Sequence, residues 1–401
     1  MTANITIRRV EGSEMLDILY WLDNYAFRPT PPFPNREEWE GGMKTRERSP
    51  YYALFEDEKA LAITACPKMT QNLRGKIFQM GGFADVSTHP EARRKGYSRQ
   101  LIRYVFAQLV KEGDVLSSLY PFRESFYERL GYVTFPQTRQ AIFKPAALSP
   151  LLGADLGGEV ELVLMGEGFE AYRAFVEKMQ PGVHGMAVFT DVQGQREAAQ
   201  KNRSWLAQAK VGGQVEGLMV YNLKGEEMMN YDLRAVRLYY RTSQAKYLLL
   251  AWLARHIDQA GKIELWLPSY EQPNTWFADI RPKLEPVFVA PMGRVLDVSA
   301  IGGMETGPEC FSAQISDPHC PWNNGVWVFE GGSGHLEVTP APPSGLEPDC
   351  HLTIQGLSAL VYGVNDPADF SLRGWGDPPP HLQATLRKMF PQKLPYLHEY
   401  Y

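Results

Sequence analysis

The stretch Val86-Ser87-Thr88-His89-Pro90-Glu91-Ala92-Arg93-Arg94-Lys95-Gly96-Tyr97-Ser98-Arg99-Gln100-Leu101 sets the expectation for the fold. A strand ends near Val86, three basic residues precede a glycine, and a helix begins. The N–H groups of a first helical turn are unpaired and lie at the positive end of the helix dipole. Gly96 permits a tight turn and lets an anion approach the backbone. Arg93, Arg94 and Lys95 place positive charge where the dipole opposes it. Either the segment is a basic helix start facing water, or it cradles an anion; the pattern suits a pyrophosphate. Neither G-x-G-x-x-G nor G-x-x-x-x-G-K-[ST] is present, so the common dinucleotide and nucleotide loops are excluded.

Upstream, Glu14 to Phe27 has the apolar spacing of a helix. Tyr51 to Phe55 and Ala60 to Lys68 read as strands around the turn Glu56-Asp57-Glu58-Lys59. Lys76 to Val86 is a longer strand, and its Gly81-Gly82 is expected to mark a bulge or splay point. Downstream, Leu101, Ile102, Val105, Phe106, Leu109 and Val110 form one apolar helix face that Gly113 ends. A strand at Val115 to Tyr120, a short helix at Glu124 to Leu130 and a strand from Tyr132 follow.

At 401 residues the chain exceeds the ~250–300 that one core sustains. Three domains are expected: residues 1–147, residues 148–292 after a Pro/Ala/Gly-rich linker at 145–155, and residues 293–401. The middle segment repeats the order of the first. Val215 to Tyr221 and Glu227 to Leu238 form a hairpin, Gln244 to Ile257 a helix, and Ile263 to Leu267 a strand. The last segment alternates short strands with Gly/Pro turns and has a helix at His381 to Phe390, an α+β module.

Hydrophobic residues are 44% and charged residues 22%, which excludes disordered, collagenous and coiled-coil classes. A net charge of −5 disfavours nucleic-acid binding and is compatible with cationic small substrates. No apolar run approaches the ~18 residues of a membrane span, and the opening residues carry no signal-peptide pattern. With four well-separated cysteines, a soluble chain in a reducing cytoplasm is expected. Cys310, His319, Cys320, Cys350 and His351 lack metal-ligand spacing, so no metal is expected.

Arg93-x-x-Gly96-x-Ser98 after a strand resembles the acyl-CoA loop of the GNAT superfamily of N-acetyltransferases, Gln/Arg-x-x-Gly-x-Gly/Ala, with Ser98 in place of the usual Gly or Ala. Phe126-Tyr127-Glu128-Arg129-Leu130-Gly131-Tyr132 is similar to the Tyr-x-x-x-Gly-Phe/Tyr segment of that superfamily. Over its whole length the chain resembles the Eis (enhanced intracellular survival) acetyltransferases: two acetyltransferase-like halves, a sterol-carrier-like terminal domain and an aromatic end. The implied fold is α/β and α+β, with two tandem GNAT-like domains of mixed, mostly antiparallel sheets before an α+β module. The second half carries Arg241-Thr242-Ser243-Gln244 where the loop belongs; lacking the glycine, it is expected not to bind CoA.

The resemblance implies acetyl-CoA as cosubstrate, held by Val86, Thr88, Arg93, Arg94, Lys95, Gly96, Tyr97 and Ser98. In that superfamily a backbone N–H of the splayed strand faces the thioester oxygen, and the resemblance implies that Val86 holds the matching position here. Tyr127 protonates the leaving thiolate; the alternative is a core tyrosine. The α-carboxylate of Tyr401 serves as base if the aromatic end docks rather than frays. Family members often have an acidic penultimate residue; here Tyr400 stands there, with Glu399 one place earlier.

Asp85 either attracts the cationic amine or is a solvated or paired strand-end group. Phe27, Trp39 and Phe83 are candidate aromatic walls, with core packing as the alternative for each. Asp23 reads as a helix-surface residue. His89 is not expected to be a base, and His398 is a second-choice amine contact. The family implies primary amines of aminoglycosides, polyamine-like molecules or lysine side chains as substrates, and a homo-oligomer. A lipid carrier built on residues 293–401, with a vestigial first half, is the rival reading. A tandem-domain aminoacyl transferase is disfavoured by the intact loop.

Overall fold

The computed structural model describes residues 4–43, 48–225, 231–342 and 345–401. The chain divides into two compact units. The first comprises residues 1–135, 182–192 and 290–401, and the second residues 136–181 and 193–289.

In the first unit, β1 (Ile5–Val10), α1 (Gly12–Phe27) and α2 (Arg36–Met43) lead into β2 (Tyr51–Glu56), β3 (Lys59–Ala65), β4 (Lys68–Leu73) and β5 (Lys76–Thr88). After the loop come α3 (Tyr97–Lys111), β6 (Leu116–Leu119), α4 (Glu124–Glu128) and β7 (Val133–Thr134). The sheet runs β1-β2-β3-β5-β6, then the strand Met292–Val295, then β7. β4 was not legible as a separate strand. It pairs with the first half of β5 through the turn at Arg74-Gly75, while β3 takes the second half of the same edge. Of the six apolar positions of that face, Leu101, Ile102, Val105, Phe106 and Leu109 of α3 are buried and Val110 is half-buried.

The strand Met292–Val295 inserts between β6 and β7 and ties the terminal module to this sheet. The module's own sheet has the order Glu337–Pro340, Gly325–Glu330, Cys310–Ser316, Cys350–Thr353. One hydrophobic core runs from Met69, Met80 and Leu116 through Val295 to Leu357, Leu386 and Phe390. The helix Ile354–Tyr362 had no sequence signal, because nearly every position is buried and no polar face reveals a period.

In the second unit the sheet has the order Lys283–Pro286, Arg139–Phe143, Ala260–Leu267, Tyr231–Tyr240, Gln214–Lys224, Trp205–Val211, Glu159–Leu164. Arg139–Phe143, placed by sequence in the first domain, therefore belongs to this sheet. The hairpin of Gln214–Lys224 and Tyr231–Tyr240 is antiparallel; its expected start at Glu227 lies outside the described residues. Tyr231–Tyr240 is followed by the helix Ser243–Ala254 and the parallel strand Ala260–Leu267, the same order as β5, α3 and β6. The expected linker at 145–155 is instead structured: Pro145–Leu151 forms a 3-10 turn that buries Pro145, Leu148 and Leu151.

Candidate active site: a splayed strand and an uncapped helix start

β5 and β6 are parallel and paired only from Met80 to Phe83. Beyond Phe83, β5 continues to Thr88 against β3 alone, so its other edge has no neighbouring strand among the described residues. The divergence does not arise at Gly81-Gly82, which remain paired with Ser117 and Ser118. It follows them, where the register on β3 slips between Ile63 and Ala65 and Asp85 adopts φ +50. That is one extra residue in β5, a bulge that turns the strand. The glycines serve close approach instead: a Cβ at Gly81 would stand 2.6 Å from Leu109 of α3, and one at Gly82 would stand 2.7 Å from the ring of Tyr401.

From Thr88 the chain makes a 3-10 turn at Pro90–Ala92 and enters α3 through Gly96, at φ +85. No side chain caps this helix start. The first ladder bond is from Gln100 N–H to the Gly96 carbonyl; Lys95 N–H donates to the Ala92 carbonyl, and the N–H groups of Gly96, Tyr97, Ser98 and Arg99 between them are left for an outside acceptor. Arg93, Arg94 and Lys95 are exposed around them. Arg94 takes φ +67, and the Arg93 guanidinium lies 5.6 Å from the Tyr25 ring. The Thr88 and Ser98 hydroxyls are 2.6 Å apart and tie the strand end to the helix start. Tyr97 donates its hydroxyl to Glu56 at 2.6 Å and packs, like Val86, at the margin of one buried cluster. Ser98, the departure from the small-residue pattern, thus has a local partner.

That cluster holds Phe83, Phe106, Leu119 and Tyr127. Tyr127 is 3% exposed, on the short helix α4, with Phe122, Phe126 and Tyr132 at 5.0–5.9 Å. Burial pushes its phenol well above the ordinary tyrosine range. The hydroxyl is therefore protonated at neutral pH. Phe83 packs edge-on against Phe106 at 5.6 Å, at the point where the strands part.

The C-terminal segment is buried from Tyr396 to Glu399. Tyr396 N–H donates to the His184 carbonyl, and the Tyr120 hydroxyl to the Leu397 carbonyl. Tyr400 stacks on Tyr120 at 4.7 Å. The Tyr401 ring lies against Gly82, with Tyr120 and Phe189 at 6.0 and 6.1 Å. Glu399 is buried, its carboxylate 3.3 Å from His398 Nε2. Tyr120, at the C-terminal end of β6, carries no motif; its role becomes visible only once the chain end is in place.

Asp85 is paired: the Tyr51 hydroxyl donates to it at 2.8 Å. Trp39 and Tyr51 belong to a second cluster, of α1, α2 and the β2/β3 hairpin, with Ala84 at its edge. Trp39 is buried there with its indole N–H unbonded, so it is not a wall facing solvent. Phe27 is 53% exposed at the end of α1 and is not gathered with the other candidates. Asp23, read as a surface residue, is only 4% exposed; it falls on the buried side of α1 beside Asn24 and Leu22. Its burial had no sequence signal, because a carboxylate on an apolar helix face is normally excluded.

The corresponding helix start in the second unit differs. Thr242 accepts the Ala245 N–H at 3.1 Å, so a side chain already occupies the place an anion would take. Among the described residues, no group of three or more His, Cys, Asp or Glu side chains gathers as a metal site, and no helix is long and apolar enough to cross a membrane.

Residues 6–135 match the family model of the acetyltransferase (GNAT) domain, and residues 299–398 that of the sterol carrier protein domain. Full-length similarity extends to solved structures. A GCN5-related N-acetyltransferase from Anabaena variabilis shares 15% identity at a TM-score of 0.84, over 99% of this chain and 100% of that one. One from Kribbella flavida shares 20% at 0.81, over 100% and 99%. Eis1 from Mycobacterium abscessus shares 14% at 0.80, over 99% and 100%. No curated protein matches the chain.

Proposed function

We propose that this chain, which carries a GNAT acyltransferase domain followed by a sterol carrier protein domain, is an Eis-like N-acetyltransferase. It moves the acetyl group of acetyl-CoA directly to primary amines of a cationic molecule, such as an aminoglycoside, a polyamine or a lysine side chain. The observation that carries this reading is the junction of β5 and α3. A strand edge without a neighbour leads into an uncapped, glycine-led helix start with three exposed basic residues. The open side of Gly96 leaves room for an anion against the backbone. A diphosphate fits that junction, and an extended pantetheine arm fits the open edge as an added strand would.

Transfer requires a neutral amine, a stabilised oxyanion and a protonated leaving thiolate. In this reading the backbone N–H at Val86 meets the thioester oxygen. Tyr127 gives its proton to the thiolate. Burial raises the phenol, but a thiolate expelled into the same apolar surroundings is raised too, which keeps the pair matched. The α-carboxylate of Tyr401 receives the amine proton, directly or through water. The docked ring of Tyr401 supports this, since it fixes the residue beside Gly82 where β5 and β6 still pair. Asp85, held by Tyr51, adds negative charge that favours a cationic acceptor.

In this reading the first unit holds the catalytic domain together with the terminal module, the second unit is a degenerate GNAT-like domain, and the protein is a cytoplasmic homo-oligomer. The rival lipid-carrier reading is weakened by the terminal module's interior, where Phe311 stacks on Phe329 at 4.7 Å within a continuous packed core. Thermal denaturation with CoA and with fatty acid separates the two. Stabilisation by CoA is expected, and stabilisation by fatty acid alone would favour the carrier.

A further inference from the structure

The helix that carries Tyr127 has five residues, too few to hold its own shape. Its end is fixed from outside. The Glu128 carbonyl accepts Gln355 Nε2 at 2.8 Å, the Arg129 carbonyl pairs with His319 Nε2 at 2.8 Å, and the Leu130 carbonyl accepts Arg294 Nη1. Three consecutive carbonyls at the end of one short helix are thus met by three side chains between residues 294 and 355. The last carbonyls of a helix lack ladder partners; of these three, the Glu128 carbonyl also accepts the Gly131 N–H at 3.0 Å. Arg373 adds a contact to the Glu128 carboxylate at 3.2 Å.

The turn is seated directly on these groups. A Cβ at Gly131, where φ is +96, would stand 2.6 Å from Arg294 Nη1 and 2.8 Å from Ile354 Cγ2. Behind the turn, Arg294 and Asp317 are fully buried and 2.5 Å apart. The other Asp317 oxygen accepts the His319 and Cys320 N–H groups. One carboxylate therefore orients both the guanidinium and the backbone of the histidine. The turn they hold is the one bonded to the tyrosine: the Tyr127 carbonyl accepts the Leu130 and Tyr132 N–H groups at 2.8 and 3.2 Å.

We infer that Arg294, His319 and Gln355 are positioning residues for Tyr127, through the three successive carbonyls of Glu128, Arg129 and Leu130, so that the terminal module sets where the phenol sits. The inference rests on the reading of Tyr127 as the proton donor. Gln355 is the clearest probe, because it is half-buried and its side-chain amide donates straight to this turn.

The test uses the full chain with Gln355→Met, which keeps length and removes the donor, and His319→Phe as a second variant. Each is combined with Tyr127→Phe. Amide hydrogen exchange is followed at 127–132, with α3 as internal reference. Each single variant is expected to speed exchange at 127–132 about fivefold, the scale of one lost hydrogen bond, and to leave α3 unchanged. Turnover is expected to fall several-fold at unchanged KM for acetyl-CoA, with no further loss in the Tyr127→Phe background. Unchanged exchange in both variants, or losses that multiply with Tyr127→Phe, would overturn the positioning role. Normal turnover of Tyr127→Phe alone would instead remove the proton-donor reading and leave the exchange result to decide the positioning.

Discussion

Gly82 and Tyr401 occupy each other's space: a Cβ on Gly82 would lie 2.7 Å from Cε2 of the Tyr401 ring. A residue in the middle of a sheet and the last residue of the chain are therefore matched in shape. Gly82→Ala forces the ring outward, since Pro67 closes the other side at 2.9 Å. The expected result is a fall in turnover of about tenfold or more, short of the ~10²–10⁴-fold for removing a placed base outright, because the carboxylate is displaced and not deleted. KM for acetyl-CoA should stay within about threefold, because the phosphate loop is untouched. Steady-state kinetics checks both, and normal turnover would detach Tyr401 from the chemistry.

Tyr127→Phe keeps the packing against Phe122, Phe126 and Tyr132 and removes only the hydroxyl. Turnover is expected to drop about 10²–10⁴-fold with little change in CoA affinity. An acetyl thioester with a more acidic leaving thiol should recover part of the loss, because it needs less protonation. Equal losses on both donors would argue for a structural role.

Gly96 has φ +85 and open space beside it, so Gly96→Ala meets no clash. Its cost is conformational, about 1–2 kcal/mol for a left-handed alanine. If the loop relaxes to avoid that cost, the N–H groups lose their common aim. CoA affinity should weaken about 5–30-fold, measured by calorimetry, while the fold persists. Unchanged affinity would place the diphosphate elsewhere.

His184 supplies a pH prediction for stability. It is buried, accepts the Arg74 N–H through Nδ1 and pairs with the Tyr362 carbonyl through Nε2. Burial lowers its pKa from 6.5 to about 3. A depressed folded value means the unfolded chain binds the proton more readily. The stabilising contribution is therefore complete above pH 6.5 and is lost as pH falls toward 3. Chemical denaturation from pH 7 to 4 should show decreasing stability, with a shallower slope in His184→Gln. An equal slope in the variant would assign the acid sensitivity to other groups.

The sequence made the β5–α3 junction legible because its chemistry is local: basic residues, a glycine and an apolar period lie within one window. It also exposed the helix face Leu101 to Leu109 and the tyrosine segment ending at Gly131. Features that depend on distant chain were not legible. Gly81-Gly82 looked like the splay point, but they serve Leu109 and Tyr401, residues no local window contains. Asp23 looked solvated until tertiary packing covered it. The sequence reads a short strand at Arg294 to Ala300; the strand is Met292–Val295, and nothing in it says that it joins the sheet that Ile5 begins. Phe83 and Trp39 carry the aromatic character of a pocket wall, yet their clusters use them as core.

The most direct measurement incubates the chain with acetyl-CoA and a panel of polyamines, aminoglycosides and a lysine peptide, following CoA release and the mass of each amine. The account predicts amine-dependent CoA release, with a gain of one or more acetyl groups on a cationic amine, abolished in Tyr127→Phe. CoA bound at the Gly96 loop with no acetylated amine across the panel, or acetylation undiminished in Tyr127→Phe, would contradict it.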